Sequence, residues 1–341
     1  MAKRPQAAVL GDINRDLFIR LRSFPRPGRD NPAQGSAWAL GGSAANTAIV
    51  LARLRVPTSV IGRVGKDPEG QALLKELTRA GVHTGGVQKD PARPTGICVI
   101  PVVENGERTL IGVRGANMAL QREGIVEALD GIRHLHVSGY SLIEQESRRA
   151  ALLALETARK QGASTSLDFG WEAAVGASDA LRRALRHVNL ALPSAQELRL
   201  AFDERRLSRA ASKARELGVD QVAVTLGAGG CRVYTEQAIF RVPHFESKAI
   251  NTCGAGDAFN AGYILGMLSG VSPEACAVLG NAAGAAVVGS ESSHKAVTRA
   301  ELAKTIQRER SSPRLQRFDP ALRDTMELLS RRAKRKRRPS R

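Results

Sequence analysis

Short runs of aliphatic and β-branched residues alternate with longer amphipathic stretches over most of this chain. Residues 7–10, 58–61, 135–138, 164–168, 188–192 and 221–226 read as strands, several of them apolar on both faces. Strands covered by helices on both sides must be apolar in that way. Between them, residues 44–54, 69–80, 145–161 and 208–217 carry apolar positions at helical spacing. The alternation predicts an α/β fold, with a mostly parallel central sheet and helices on both faces.

Two stretches leave this rhythm. Residues 96–101 and 107–112 are strand-like and flank Glu104-Asn105-Gly106, where Asn-Gly is a strong hairpin signal. Residues 20–40 are irregular and rich in Pro, Gly and Arg. Together these predict a small β lid drawn from about 14–40 and 95–118. No internal repeat is visible, and residues 320–335 predict one extra helix.

The composition is that of a globular protein: 43% hydrophobic and 25% charged over 341 residues. No apolar run approaches the ~20 residues of a membrane span, and the apolar run near the N-terminus is too short for a signal peptide. A cytoplasmic protein without a membrane partner is expected. Cys98, Cys231, Cys253 and Cys276 are scattered, without a CxxC pair, which predicts buried thiols in a reducing compartment. The formal net charge of +18 is uneven, because residues 304–341 hold fourteen Lys or Arg against four acids. Such a run predicts a disordered end. It is either a solvated tail or a non-specific, salt-dependent contact with a polyanion. The division expected is a domain over 1–303 and a basic extension over 304–341, partly helical and then disordered.

The most informative string is Asn251-Thr252-Cys253-Gly254-Ala255-Gly256-Asp257, which runs into a good helix-forming stretch. A loop of small residues at a helix N-terminus turns successive N–H groups toward one point and makes an anion site. Asp257 in the first turn stands beside that site; as an isolated feature it would more often be a helix cap. Three further loops argue against isolation. Gly41-Gly42-Ser43-Ala44-Ala45-Asn46 also enters a helix, Thr225-Leu226-Gly227-Ala228-Gly229-Gly230 ends a strand, and Asp12-Ile13-Asn14-Arg15-Asp16 follows the first strand. Ligands of open α/β sheets bind at the carboxyl ends of strands, so one shared site is expected.

These motifs, in this order and spacing, resemble the ribokinase-like (PfkB-type) carbohydrate and nucleoside kinases. GGSAANTA and NTCGAGDAFNAGY are similar to that family's two signatures, Gly65-Lys66-Asp67-Pro68-Glu69-Gly70 to its GxDxxG element, and Gly115-Ala116-Asn117 to the GAN that follows its lid hairpin. The resemblance implies a three-layer α/β/α sandwich with a β lid, and transfer of a phosphoryl group from ATP to a hydroxymethyl of a sugar or nucleoside. It implies Asp257 as base, with the amides of Gly254, Ala255 and Gly256 as anion hole. It places Asn14, Asp16, Gly42 and Asn46 on the acceptor. Ser194, Glu197, Thr225, Gly227, Gly230 and Asn281 would meet ATP, and Mg²⁺ would be held through phosphates and waters. A K⁺ site from Asn251, Cys253, Val288, Ser290 and Ser293 is a further implication.

Departures from the family pattern bear on these roles. Ser194-Ala195-Gln196-Glu197 keeps the glutamate of the usual Asn-x-x-Glu but not its amide, and Asn251 replaces a common aspartate, which weakens the K⁺ site. Ser292-Ser293 stands where Gly-Ala is usual, and Asp168 lacks the polar company it often keeps. His134 and His136 share a strand face and read as structural. Trp38 could stack on a sugar or simply pack, and Glu144 has no clear place. A sugar kinase is the leading reading, a nucleoside kinase of the same fold the next. A catalytically silent sugar or nucleotide sensor with a polyanion-binding tail comes from another class. Unpaired lid strands also predict a homodimer.

Overall fold

The structure, a computed structural model, describes residues 4–104, 107–248, 250, 252–290 and 297–331. Asn105, Gly106, Asn251, Ser292, Ser293 and the basic end beyond residue 331 therefore lie outside the described residues. The chain opens with β1 (Ala7–Leu10), β2 (Asn14–Leu21) and β3 (Gly35–Gly41), then α1 (Ser43–Arg53), β4 (Thr58–Gly65), α2 (Pro68–Arg79) and β5 (Val82–Asp90). β6 (Gly96–Val103) and β7 (Ile111–Val113) follow, and then α3 (Ile125–Ala128), β8 (His134–Ser138), α4 (Gln145–Lys160) and β9 (Ser164–Asp168). Next come α5 (Trp171–Gly176), α6 (Ser178–Leu185), β10 (Leu190–Ala191), α7 (Ala195–Phe202) and α8 (Leu207–Glu216). The chain continues through β11 (Gln221–Thr225), β12 (Cys231–Tyr234), β13 (Ile239–Val242), α9 (Ala255–Ser269) and α10 (Pro273–Val288), and closes on α11 (Arg299–Glu309) and α12 (Asp319–Ser330).

The large sheet has the order β13-β12-β11-β10-β9-β8-β1-β4-β5. Its neighbours from β11 to β5 run parallel, and only β12 and β13 are antiparallel additions at one edge. β1 shows why both faces had to be apolar. Ala7 and Val9 belong to a core shared with α1, α2 and α9–α12, whereas Ala8 and Leu10 belong to the opposite core with α4, α6, α7 and α8. Two helical layers on one parallel sheet put every strand-to-helix loop at the same end, where a site can assemble.

The second sheet, β3-β2-β6-β7, is the expected lid. β2 pairs with β3 antiparallel and with β6 parallel, and β6 with β7 antiparallel. Much of the stretch expected to be irregular is thus strand, because β2 runs to Leu21 and β3 begins at Gly35. Register also fixes direction. Trp38 pairs with Leu17, one residue out of phase with Asp16, so it stands on the other face of the lid from the Asp16 carboxylate. There it is 55% exposed, with the Arg15 guanidinium over its ring at 6.0 Å. Stacking of Trp38 on a bound sugar is therefore ruled out by the pleat.

The residue-303 boundary falls inside α11. Leu302, Ile306, Leu315, Phe318, Leu322 and Leu328 are buried in the same core as α9 and α10. Several charges of this segment are paired: Arg314 meets Glu246 at 2.9 Å and Glu309 at 3.2 Å, Arg331 meets Glu327 at 2.8 Å, and Arg323 meets Asp319. His134 and His136 are fully buried and bond Ser164 and Ser166 at 2.8 Å. Burial pushes both imidazoles down to about 3, so they are neutral struts. Glu144 is exposed just ahead of α4, and among the described residues no three acids, histidines or cysteines are placed to hold a metal.

Candidate active site

Two helix N-termini meet below the lid. Gly254 takes a left-handed conformation (φ 77°) and starts α9, so the first-turn amides of Ala255, Gly256 and Asp257 have no partner further back in the helix. α1 starts at Ser43 after Gly42, whose φ is 93°. The two helices are laced together at Asp257. Its Oδ1 accepts from Ser43 Oγ at 2.9 Å, its Oδ2 from Asn46 Nδ2 at 2.9 Å, and its carbonyl from Thr47 Oγ1 at 3.4 Å. Asp257 is therefore held by the side chains of α1 and does not serve as a cap of its own helix. Burial pushes its carboxyl up to about 6, against the pull of Asn46 and Ser43.

The acceptor side is built from the turn after β1 and the first residues of β2. Asp16 faces Asp257 from the lid, and burial first, then the Asp257 charge, raises it to about 7. Its Oδ1 is buried without a partner, as is the Oδ1 of Asn46. Unmet acceptors of this kind suit a ligand that brings hydroxyls. Asn14 Oδ1 accepts from Asn117 Nδ2 at 2.7 Å, and Asn117 Oδ1 accepts from the Ile13 amide at 3.0 Å. Asn117, from the Gly115-Ala116-Asn117 string, thus fixes the acceptor loop. Asp12, next along, pairs with Arg114 at 2.9 Å.

The other half of the site lies beyond β9, β10 and β11. Ser194 caps α7 by accepting from the Glu197 amide at 3.3 Å, and Glu197 Oε2 accepts from the Ser194 amide at 2.8 Å. This capping box uses the serine hydroxyl and one glutamate oxygen within the protein. Ser194 also bridges Thr225, and the turn through Gly227 closes with Leu226 N donating to Gly230 O at 2.8 Å. Burial, then the charges of Glu197 and Asp257, hold the Asp168 carboxyl well above the usual range. Burial raises Glu197 too. A buried carboxyl in the field of two other carboxylates is a donor set that suits a hard divalent ion held partly by water. Asn281 Nδ2 donates to Val242 O at 3.1 Å and Pro243 O at 2.9 Å, so its amide hydrogens tie down the loop after β13. Beyond it lies a cavity of about 640 Å³, lined among others by His244, Lys248, Ala285, Gly289 and Arg308.

Of the expected K⁺ ligands, Asn251 and Ser293 fall outside the described residues. Cys253 is half-buried on the anion loop, Ser290 follows α10, and the Val288 carbonyl accepts from the Ile250 amide at 2.9 Å. Several residues of the site carry no signal in the sequence. Ser43 is a member of the GGSAANTA string but only the fold brings it to Asp257. Tyr140, just past β8, lies close enough to Asp168, Glu197, Asp257 and Asp12 for burial and their charges to hold its hydroxyl protonated. Arg108, from the lid, bonds Thr252 Oγ1 on the anion loop.

A buried carboxylate, oriented from one helix and set in the first turn of another, is an arrangement suited to phosphoryl transfer. The profile described as pfkB family carbohydrate kinase matches residues 4–299. Ribokinase of Arabidopsis thaliana is 29% identical over 288 residues, covering 81% of this chain and 74% of that protein. An ATP-dependent ribose-1-phosphate kinase of Halopiger xanaduensis is 31% identical over 297 residues, covering 84% and 93%. In fold, the solved structure of Arabidopsis thaliana ribokinase complexed with ribose and ATP matches with a TM-score of 0.77 at 24% identity, covering 89% of this chain and 99% of that one.

Proposed function

The chain belongs to the pfkB family of carbohydrate kinases, and on that premise we propose that it transfers the γ-phosphoryl group of ATP to a hydroxymethyl of a sugar, with Asp257 taking the proton. The observation that carries this reading is the setting of Asp257. It is oriented by Ser43 and Asn46, stands in the first turn of α9 next to the Gly256 amide, and has a carboxyl raised toward neutrality. A base acts best when its pKa lies near the working pH. The hydroxyl of the acceptor would sit against Asp257, with its other oxygens on Asn14, Asp16 and Asn46. The proton passes to Asp257 as the oxygen attacks phosphorus, and the amides of Ala255 and Gly256 receive the charge on the phosphoryl oxygens. A silent sensor has no use for a carboxylate so held.

ATP would lie with its phosphates at α9, its middle along Thr225 and Gly227, and its base in the cavity beyond Asn281. Mg²⁺, when bound, would neutralise phosphate charge; Asp168 and Glu197 are the residues placed to hold it, directly or through water. The amide loop gives a test that separates function from folding. A Cβ at Gly256 would meet no atom within 4 Å, and alanine is favoured over glycine in a helix by about 0.5–1 kcal/mol. Gly256→Ala is expected to melt at the same temperature or higher and yet to lose turnover, because its methyl occupies the space left for the phosphoryl group. Thermal denaturation beside steady-state kinetics reads both, and full turnover in this variant would move the phosphoryl site elsewhere.

Arg108 supplies a cation from the lid. It bonds Thr252 on the anion loop, and its Nε is buried without a partner. A guanidinium there can follow the charge of the transferred group as the lid closes. Arg108→Met is expected to lower kcat ~10²-fold, the usual loss of one charge-stabilising donor. The acceptor KM should change much less, and a rise in KM alone would instead mark Arg108 as an acceptor ligand.

A further inference from the structure

Arg114 is a nearly buried cation that the reaction as described leaves unused. It follows lid strand β7, where the chain returns to the core, and its side chain is only 12% exposed. One nitrogen, Nη2, donates to Asp12 Oδ1 at 2.9 Å, while Nε and Nη1 are buried with no hydrogen-bond partner. A guanidinium carries five N–H groups, and each one buried and left unmet carries a desolvation cost. Such a cost is sustained where a ligand arrives to remove it. The location is the acceptor side of the cleft: Asn117 Nδ2 donates both to the Arg114 carbonyl at 3.0 Å and to Asn14 Oδ1 at 2.7 Å.

The charges around it matter. Asp12 is the one acid that Arg114 bonds, and it sits in turn within the field of Glu172 on α5. Burial raises Asp12 despite the pull of Arg114, so the pair is held in a dry setting in which Asp12 does not fully satisfy the guanidinium. Asp257 is held by Ser43 and Asn46, and Asp16, raised by burial and by the Asp257 charge, is not bonded to Arg114. Arg15, the neighbouring lid arginine, is already matched by Glu69 at 3.2 Å and Glu76 at 2.8 Å. Among the described lid arginines, Arg114 is the one with two buried nitrogens unpartnered.

We propose that Arg114 is a specificity-determining residue that binds an oxyanion on the acceptor, a carboxylate or phosphate ester carried away from the hydroxyl that Asp257 deprotonates. The substrate class is then a sugar acid or sugar phosphate. This rests on the kinase reading above. Nη2 carries a second hydrogen besides the one directed at Asp12, and with a free neighbour, Nε or Nη1, it completes a planar two-donor edge that matches oxyanion geometry in a way that a lysine cannot.

The test compares matched acceptors: D-ribose with D-ribonate, D-ribose 1-phosphate and D-ribose 5-phosphate, and D-fructose and D-glucose with D-gluconate and their phosphates. ADP release from ATP and Mg²⁺ is followed for wild type, Arg114→Met, Arg114→Lys, and the double variant Asp12→Asn with Arg114→Met. The double variant leaves no stranded carboxylate and protects against misfolding. Expected is a kcat/KM for one oxyanion-bearing acceptor at least ~10²-fold above its neutral parent, lost by ~10²–10³-fold in both Met variants, chiefly through KM. Activity on the neutral parent should change little, and Arg114→Lys should recover part of the loss. Whether the favoured acceptor is an acid or a phosphate separates the two sources. A neutral sugar as the best acceptor, or an equal loss on charged and neutral acceptors, overturns the proposal. Failure of the kinase reading would look different, as ADP release independent of every acceptor. Calorimetric binding of the same sugar acids and phosphates still decides then: binding that disappears in Arg114→Met supports the role, and binding unchanged by it does not.

Discussion

Asp257→Asn is expected to lower acceptor-dependent ADP release by ~10²–10⁴-fold, the span usual for loss of a positioned base, while making the protein more stable above neutral pH. The two halves of this result have one cause. Burial raises the Asp257 carboxyl from an ordinary 3.8 to about 6 and Asp16 to about 7. The folded state therefore holds protons that the unfolded chain releases. The stability linked to these two groups is complete below about pH 4 and is lost as pH rises through 6 and 7. Asparagine at 257 mimics the protonated form, keeps the bonds from Ser43 and Asn46 within reach, and removes part of that loss. Activity runs the opposite way, since a base must be unprotonated. kcat/KM is expected to rise with pH through about 6 and then level off. Melting curves and pH–rate profiles of both proteins check the pair. A variant that melts lower at pH 8, or retains activity, would separate Asp257 from the chemistry.

Gly42→Ala should be the most damaging small change in the site. Gly42 sits at φ 93° ahead of α1, a conformation costly to residues with a Cβ. A Cβ there would stand 2.4 Å from the Asp12 carbonyl oxygen and 2.9 Å from the Asn14 amide, both backbone atoms that cannot rotate away. The backbone strain alone is worth about 1–3 kcal/mol, and relief of the contact requires α1 to move from the end of β1. That movement carries Ser43 and Asn46 away from Asp257. Stability and kcat should both fall, with kcat falling further than the folded fraction measured by circular dichroism. Full turnover in a folded Gly42→Ala protein would show that the α1–α9 contact does not position the base.

How far the molecule was legible in its sequence follows from what each signal depends on. The strands buried on both faces were clear because their runs are continuous, and Ala7–Leu10 and Ser164–Asp168 match residue for residue. β5 was hidden by its edge position: Val82–Asp90 is polar, with two adjacent glycines and mixed exposure. α10 escaped for the opposite reason, since Pro273–Val288 is buried over much of its surface and shows little polar alternation. In the lid, Pro25, Pro27, Gly28 and Pro32 obscured the strands on either side. The anion loop and Asp257 stood out because their chemistry is local to one string. The partners of Asp257 did not, because Ser43 lies 214 residues away and only the meeting of two helix ends joins them. Tyr140 is likewise an ordinary residue until the fold sets it among acids, and Arg114 until the fold buries it against Asp12. At Trp38 residue type left stacking and packing open, and the strand pleat sets the direction of its ring.

The most direct test of the central claim is ³¹P NMR of wild-type protein and Asp257→Asn with ATP, Mg²⁺ and a panel of neutral sugars, sugar acids, sugar phosphates and nucleosides. The account predicts a new sugar phosphomonoester resonance that grows in step with ADP in wild type and is nearly absent in the variant. ADP that appears with inorganic phosphate alone, or a phosphorylated product formed equally by Asp257→Asn, would contradict it.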